Sequence, residues 1–586
     1  MTFNELANTF EKTEIEQSRT KITILLAQLF KTTTPEEAQI ISYLSLGSLY
    51  PVYKGTQFNF AEKSVQKVLA LLLDCTLAHI KSQADKLGDL GSVVGAGGWE
   101  QASKENIKVT KVYKQLEEFL NITGIGSQES KEKKLIEILK SLDLLSAKYV
   151  IRIILGKLRM GFSDMTLLDA FSWMEKGDKS IREELENAYN ISADIGLIIK
   201  ILKQDGLLAL KHIKITPGIP IRPAAAERMA SAKDIFEKLG LCVAQPKLDG
   251  FRIQVHLDKR KKSPEVSFFS RNLLNMSDMF PDLKKSVVSL DVETFVAEGE
   301  AIAYDIETGS FLPFQETVKR KRKYDIEKVS QDYPLKLYFF DLLYLDNKSY
   351  IDFSHTVRRE KLKEILDKKI IKEEKVLFLT EEIKISDVKT LEEYFMSSIS
   401  SGLEGVVVKR PDALYQAGKR NFNWIKLKRK ESGELEDTID CVILGYYAGR
   451  GKRATFGIGA FLVGVYNEQK ECFQTVAKIG TGLTDTEWKE LKKSCDESST
   501  INKPKEVECT KELFPDVWVF PTIVCIVRAD EITRSPFHTA GRTEKSSGIA
   551  LRFPRIMGYR PDKGPQEATT VKEIMRLFQL QFEKQK

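Results

Sequence analysis

Apolar positions recur at two different periods along this chain, and the switch between them divides it. Up to about residue 215 the spacing is helical. Phe3, Leu6, Ala7 and Phe10 share one face, as do Ile22, Leu25, Leu26 and Leu29, and Val65 to Ile80 reads as one long apolar helix. Thr34-Pro35-Glu36-Glu37 supplies an N-cap, a proline at the first helical position and an acidic first turn, which predicts a helix start. Gly95, Gly97 and Gly98 precede no strand-and-helix unit and read as a connection.

At Thr216-Pro217-Gly218-Ile219-Pro220-Ile221-Arg222-Pro223 the prolines break the helical pattern and predict a linker. Beyond it the period shortens to that of strands over Arg252 to Leu257, Val266 to Ser270, Phe295 to Tyr304, Leu335 to Leu345 and Glu404 to Lys409, with a helix-like piece at Ser354 to Leu366. The polar stretch Lys428 to Asp440 predicts a second hinge. After it, strands at Cys441 to Gly445, Ala460 to Tyr466, Cys472 to Ile479, Val517 to Val527 and Ile549 to Phe553 alternate with glycine turns, and Val571 to Phe582 returns to helical spacing. The fold class expected is therefore multidomain. It comprises an all-α domain over residues 1–215, an α+β domain of largely antiparallel sheets over 216–431, and a C-terminal β-barrel of the OB-fold kind with a terminal helix over 432–586.

Composition narrows the setting. A chain of 586 residues, 42% hydrophobic and 30% charged, is expected to form about three to four globular domains. No run of eighteen apolar residues occurs and the first residues lack a secretory apolar core, so a cytoplasmic protein without membrane contact is expected. The seven cysteines form no CxxC pair and the histidines do not cluster with them, which argues against a zinc site and a disulfide framework. The net charge is +7, but no segment is basic enough to announce nucleic acid from composition alone, so binding to it would require charges sorted onto one face.

The chemistry centres on Lys247-Leu248-Asp249-Gly250-Phe251-Arg252, a turn between two predicted strands. A lysine there suits a nucleophile held on a rigid edge, and the glycine would let the backbone approach a phosphate. Alone, the pattern fits a surface lysine beside a turn better. Five further stretches share the domain: Ser270-Arg271-Asn272, Glu298-Gly299-Glu300-Ala301, Tyr338-Phe339-Phe340-Asp341, Glu404 to Lys409, and Trp424-Ile425-Lys426-Leu427-Lys428. Each lies in, ends or follows a predicted strand, so their side chains can meet at one sheet edge. The cations Lys247, Arg252, Arg271, Arg420, Lys426 and Lys428 with the carboxylates Glu300 and Glu404 suit a polyphosphate plus a divalent metal. In the helical region, Arg152, Lys157 and Arg159 either contact backbone phosphates or snorkel from a core helix. Lys319 to Lys323 reads either as a DNA-tracking run or as a solvated loop.

In this order the stretches resemble the motifs of the covalent nucleotidyltransferases, which include ATP-dependent DNA ligases, RNA ligases and mRNA capping enzymes. Leu551-Arg552-Phe553-Pro554-Arg555 and Arg560-Pro561-Asp562-Lys563 supply the last of them. Phe3-Asn4-Glu5-Leu6-Ala7, Arg152 to Gly161 and Gly218 to Ile221 narrow the resemblance to ATP-dependent DNA ligases of the archaeal type, with a helical DNA-binding domain in front.

That resemblance implies that Lys247 takes AMP from ATP as a phosphoramide, passes it to the 5′-phosphate of a nick in double-stranded DNA, and so seals the strand. An ordinary lysine, with a pKa of about 10.4, must lose its proton to attack, and neighbouring cations and a bound metal favour that loss. The resemblance also implies that Gln245 reads the adenine edge, where a glutamate is commoner, and that Phe340 stacks on the ring. Arg252, Arg271 and Glu300 would hold ribose and phosphate, and Arg420, Lys426 and Lys428 would neutralise the α-phosphate. Glu300 and Glu404 would hold Mg²⁺, and Arg552, Asp562 and Lys563 would orient the departing pyrophosphate. The expected protein is a monomer, with a degenerate sliding-clamp contact at Gln17 to Phe30 left open. Two rivals remain at this point: a GTP-dependent mRNA capping guanylyltransferase, which would not need the helical domain, and a non-catalytic DNA clamp, which would not need the filled catalytic positions.

Overall fold

The amino-terminal segment is helical because its ends are capped and its apolar face is covered. The Thr2 hydroxyl accepts from the Glu5 amide and the Glu5 carboxylate accepts from the Thr2 amide, which starts the helix Phe3–Ile15 and leaves Phe3, Leu6, Ala7 and Phe10 buried. Thr34 and Glu37 repeat the device at Pro35–Ser45. The apolar run Val65 to Ile80 is not one helix. It is split into Glu62–Leu72 and Leu77–Leu87, because Asp74 takes a left-handed conformation (φ 49°) and Thr76 caps a new helix by accepting from the His79 amide. Apolar spacing alone runs through such a break.

The computed structural model describes all residues except 100–106, 159, 161, 230, 305–310, 312–319, 321–329, 331–332, 368–375, 402, 429–437, 450–454, 530, 545 and 584–586. The second predicted hinge, Lys428 to Asp440, lies mostly outside the described residues. The chain forms two compact units, Met1–Val68 with Glu100–Arg429, and Leu69–Trp99 with Lys430–Lys586.

In the first unit the proline-rich stretch is a strap docked on a strand rather than a free linker. The Ile221 amide donates to Gln254 Oε1 at 2.8 Å, Gln254 Nε2 donates back to the Ile221 carbonyl, and the Gly218 amide donates to His256 Nδ1 at 3.1 Å. Because Nδ1 accepts, the His256 proton sits on Nε2, facing Gln254 Oε1. Burial pushes its pKa down to about 3, so the ring stays neutral.

Two sheets follow the strap. Their strands are β1 Ala225–Arg228, β2 Cys242–Pro246, β3 Phe251–Asp258, β4 Glu265–Ser270, β5 Thr294–Ala303, β6 Leu335–Leu345, β7 Lys348–Ser349, β8 Leu377–Leu379, β9 Ile383–Ile385, β10 Gly405–Lys409 and β11 Arg420–Lys428. One sheet has the order β1-β11-β10-β2-β9, and the other β4-β3-β5-β6-β7 with β8 beside β6. Pairing is antiparallel, as expected, except for the parallel pairs β1/β11 and β6/β8. Ala244, Val406, Val408, Ile425 and Leu427 make the core of the first sheet. Ile253, Val255, Leu257, Ala297 and Phe339 serve the second. Val296, Leu343, Tyr415 and Trp424 form a third cluster with Ile221 of the strap.

The second unit is strand-rich. Ile439–Tyr447 (β12), Ala460–Asn467 (β13) and Cys472–Ile479 (β14) form an antiparallel meander, and Val524–Arg528 pairs with both β12 and Arg555–Tyr559. The predicted strand Val517 to Val527 is interrupted by a turn at Phe520–Thr522. The helix Asp485–Glu497 buries Trp488, Leu491 and Cys495 against this core. All seven cysteines are free, and no helix among the described residues is long and apolar enough to cross a membrane.

The deepest ion pair in the first unit joins β6 to the helix His355–Asp367. Arg358 reaches both oxygens of Asp341, at 2.6 and 3.0 Å, and both side chains are fully buried. Burial pushes the Asp341 carboxyl up, but Arg358 outweighs it and holds the group below its ordinary value of 3.8. This contribution to stability is thus present above about pH 4 and lost as pH falls through the folded-state value. Arg358→Ala strands the carboxylate, and urea denaturation at pH 7 should show a loss of about 3 to 5 kcal/mol. A loss below about 1 kcal/mol would show that the pair is not structural.

Candidate active site

The turn carrying Lys247 does not close a hairpin. β2 before it belongs to one sheet and β3 after it to the other, so Lys247 to Gly250 passes from sheet to sheet. The Lys247 amide donates to the Gly405 carbonyl of β10 at 2.8 Å, which anchors the turn to the first sheet. Gly250 anchors it to the second: a Cβ there would stand 2.4 Å from the Ala301 carbonyl oxygen of β5. The Cβ direction at this glycine is taken by the neighbouring strand, while Gly250 itself lines the cleft. The Gly250 amide also donates to Glu300 Oε1 at 3.1 Å.

Between the sheets lies a cleft of about 660 Å³, a size that suits a nucleotide. Gln245, Lys247, Arg252, Arg271, Glu300, Phe340 and Lys426 all line it. Glu404, at the foot of β10, pairs with the Lys247 ammonium and lies 3.3 Å from Lys428 Nζ. Burial pushes the Glu404 carboxyl up, but the two lysines outweigh it and hold the group below its ordinary value. Glu300, one strand away, is not so compensated. Burial raises it to about 7, against the pull of Lys247, Arg252 and the Gly250 amide. Lys426 is held below the ordinary lysine value, first by burial and then by the nearby cations Lys428, Arg420, Arg271 and Lys247. Lys247, Arg252, Arg271 and Lys426 thus line one space with Glu300, and Glu404 pairs with Lys247 beside it; the excess of cations favours an anionic ligand of several charges.

The cleft has an aromatic wall. Phe340 lines it, backed edge-on by the buried Trp424 at 6.1 Å between ring centres. Arg252 lies over both rings and sends Nη2 to both oxygens of the buried Glu298, at 3.0 and 2.9 Å. Its Nε is buried without a partner among the described residues, a donor that suits a ligand oxygen. Lys409, which also lines the cleft and which burial drives down to about 8, donates to the Phe340 carbonyl at 3.2 Å. Glu298, Lys409 and Trp424 lie inside the stretches singled out in the sequence, yet no role was expected of them. Glu382 was missed altogether. It lies in no such stretch and accepts from Gln245 Nε2 at 2.8 Å, and only the pairing of β9 with β2 brings it there.

Other candidates lie elsewhere. Arg152 is 3% exposed and pairs with Glu14 at 2.7 Å beside the Tyr149 ring, so it is a core ion pair and not a phosphate contact. Lys157 is exposed and 3.2 Å from Glu62, and Arg159 lies outside the described residues. Of the run Lys319 to Lys323 only Arg320 is described. It is buried against Asp282 and the Met279 carbonyl, which removes it from any DNA-tracking face. Gln17 to Phe30 is not an exposed clamp peptide, because Ile22, Leu26, Leu29 and Phe30 are all buried in their helix. In the second unit, Arg552 pairs with Glu531, Lys563 with Asp440, and Asp562 with Arg560, each within that unit. Among the described residues no group of three or more His, Cys, Asp and Glu side chains could by itself hold a metal ion.

Comparison with known proteins fits this geometry. Family models match over residues 2–172 (DNA ligase N terminus), 223–428 (ATP dependent DNA ligase domain) and 454–563 (ATP dependent DNA ligase C terminal region). A probable DNA ligase of Dictyoglomus turgidum is 45% identical over 580 residues, covering 99% of this chain and 97% of that relative. A DNA ligase of Staphylothermus marinus is 37% identical and covers 100% of both chains. Among solved structures, one described as Pmar-Lig_PreS3 aligns over 95% of this chain and 99% of its own with a TM-score of 0.51 at 17% identity, a likeness of fold alone. These matches do not favour a capping guanylyltransferase.

The electrostatics of the cleft carry a stability signature. Glu300 has a folded-state value of about 7 against an ordinary 4.5, so its contribution is fully present below about pH 4.5 and is lost as pH rises through about 7. Denaturation of the metal-free protein between pH 5 and 8 should show this fall, and Glu300→Gln should flatten it. An unchanged slope in the variant would show that Glu300 is not the group titrating.

Proposed function

The chain belongs to the ATP-dependent DNA ligases, and from that premise we propose that Lys247 is the residue that carries AMP between ATP and the 5′-phosphate of a nick. The observation that supports this most directly is the meeting of Lys247, Glu300, Glu404, Phe340 and four further cations at one cleft between two sheets. In the first step the neutral Nζ attacks the α-phosphorus, a P–N bond forms, the P–O bond to pyrophosphate breaks, and the amine proton leaves. The Lys247–Glu404 ion pair must open before that attack. Lys426, Lys428, Arg420 and Arg271 then face the charge that builds on the phosphate oxygens, which lowers the barrier most where water is excluded. Phe340 lines the cleft where adenine would lie, and Arg252 Nε would donate to a ligand oxygen. In the second and third steps AMP passes to the 5′-phosphate, and the 3′-hydroxyl displaces it to close the phosphodiester.

Glu300 and Glu404 flank the lysine amine, and two carboxylates with phosphate and water oxygens suit Mg²⁺. When bound, that ion supplies neutralisation of phosphate charge. We assign residues 1–215 to DNA binding, 216–431 to nucleotide transfer and 432–586 to the barrel that brings Arg552, Asp562 and Lys563 to the pyrophosphate. The working protein in this reading is a cytoplasmic monomer on nicked duplex.

Incubation with radiolabelled ATP and Mg²⁺ should leave a label on the denatured protein that is absent in Lys247→Ala. Labelling that persists in the variant would reject the assignment. On the DNA side, Lys157→Ala should reduce the slope of log affinity for nicked duplex against log salt by about one. Arg152→Ala should leave that slope unchanged and lower the denaturation midpoint. An altered salt slope for Arg152→Ala would restore it as a phosphate contact.

A further inference from the structure

Gln245 occupies the inner wall of the cleft, 2% exposed on β2, where its amide can meet the edge of a base lying on Phe340. An amide is ambivalent. Turned one way it accepts from the 6-amino group of adenine, and turned the other it donates to a 6-oxo group. A glutamine can therefore discriminate between purines only if something fixes its rotation.

The structure holds such a device. Gln245 Nε2 donates to Glu382 Oε2 at 2.8 Å, and the same carboxylate receives His355 Nε2 at 2.7 Å and Arg359 Nε at 3.1 Å. Burial raises the Glu382 carboxyl, but His355 and Arg359 outweigh it and keep the group ionised. An ionised carboxylate only accepts, so a flipped amide would set oxygen against oxygen. Among the described residues Gln245 Oε1 has no protein donor. The Thr380 hydroxyl, on the same wall and 2% exposed, is likewise without a partner.

We propose that Glu382 is a positioning residue for nucleobase choice: it holds the Gln245 amide with Oε1 towards the cleft, so that the site takes a purine with a 6-amino donor and rejects one with a 6-oxo acceptor. This rests on the assignment of the cleft as the ATP site. A site that hydrogen-bonds a substrate donor rejects an analogue that cannot donate, because its buried polar atom is left unpaired.

The test compares adduct formation at Lys247 with ATP and with inosine triphosphate, which carries a 6-oxo group on an otherwise similar purine. Both are measured on one preparation, so partial unfolding cancels in the ratio of kcat/KM. Glu382→Ala frees the amide and should lower the ATP:inosine triphosphate ratio at least about tenfold, through KM. The exchange Gln245→Glu with Glu382→Gln keeps one carboxylate and one amide in contact, with an acceptor still facing the cleft, and should return the ratio to near the wild-type value. A ratio in Glu382→Ala within about twofold of wild type, or an exchange variant as unselective as Glu382→Ala, overturns the inference. Absence of any ATP adduct at Lys247 in the wild type would instead refute the site assignment.

Discussion

The close passage of Gly250 beneath the Ala301 carbonyl is the constraint on which the rest of the site depends. It leaves no room for a side chain, so the chain must cross there from one sheet to the other at this separation. Once it does, residues from both sheets face a common space. Lys247 hangs between them, tied by its amide to Gly405, with its ammonium paired to Glu404 of one sheet and Glu300 of the other bonded to the Gly250 amide. A larger residue at position 250 would meet the Ala301 carbonyl and push the turn that carries Lys247 away from β5.

Bringing so many charges into a half-buried cleft has an electrostatic cost, and the structure meets it unevenly. Arg252 is neutralised by Glu298 and Asp341 by Arg358, which makes the walls rigid. The cations near Lys426 and the carboxyl of Glu300 are left under-compensated, and those are the groups that face the ligand space. Repulsion among the cations near Lys426 would be relieved by a polyanion, so the same imbalance that weakens the empty protein would favour a bound one.

The helical region shows the opposite balance. Arg152, which by residue type and spacing could be taken for a phosphate contact, is spent on Glu14 inside the core. The proline-rich strap that follows is held by Gln254 and His256 on β3, which fastens it to the strand leading out of the Lys247 turn.

The sequence by itself determined the order of helical and strand-rich regions, because periods of 3.6 and 2 are properties of neighbouring residues. It also determined most element positions, such as Leu335–Leu345, and the stretches whose residues line the cleft, because the proposed chemistry needs particular residue types. What it could not carry is anything that depends on which strands become neighbours. The split of Val65 to Ile80 turned on one left-handed residue, Asp74. Whether Arg152 is solvated or buried turned on Glu14, 138 residues away. The role of Gly250 turned on a strand fifty residues downstream. Glu382 entered the site only because β9 pairs with β2, and the position of a carboxylate 137 residues away from Gln245 is set by sheet registry, not by local pattern.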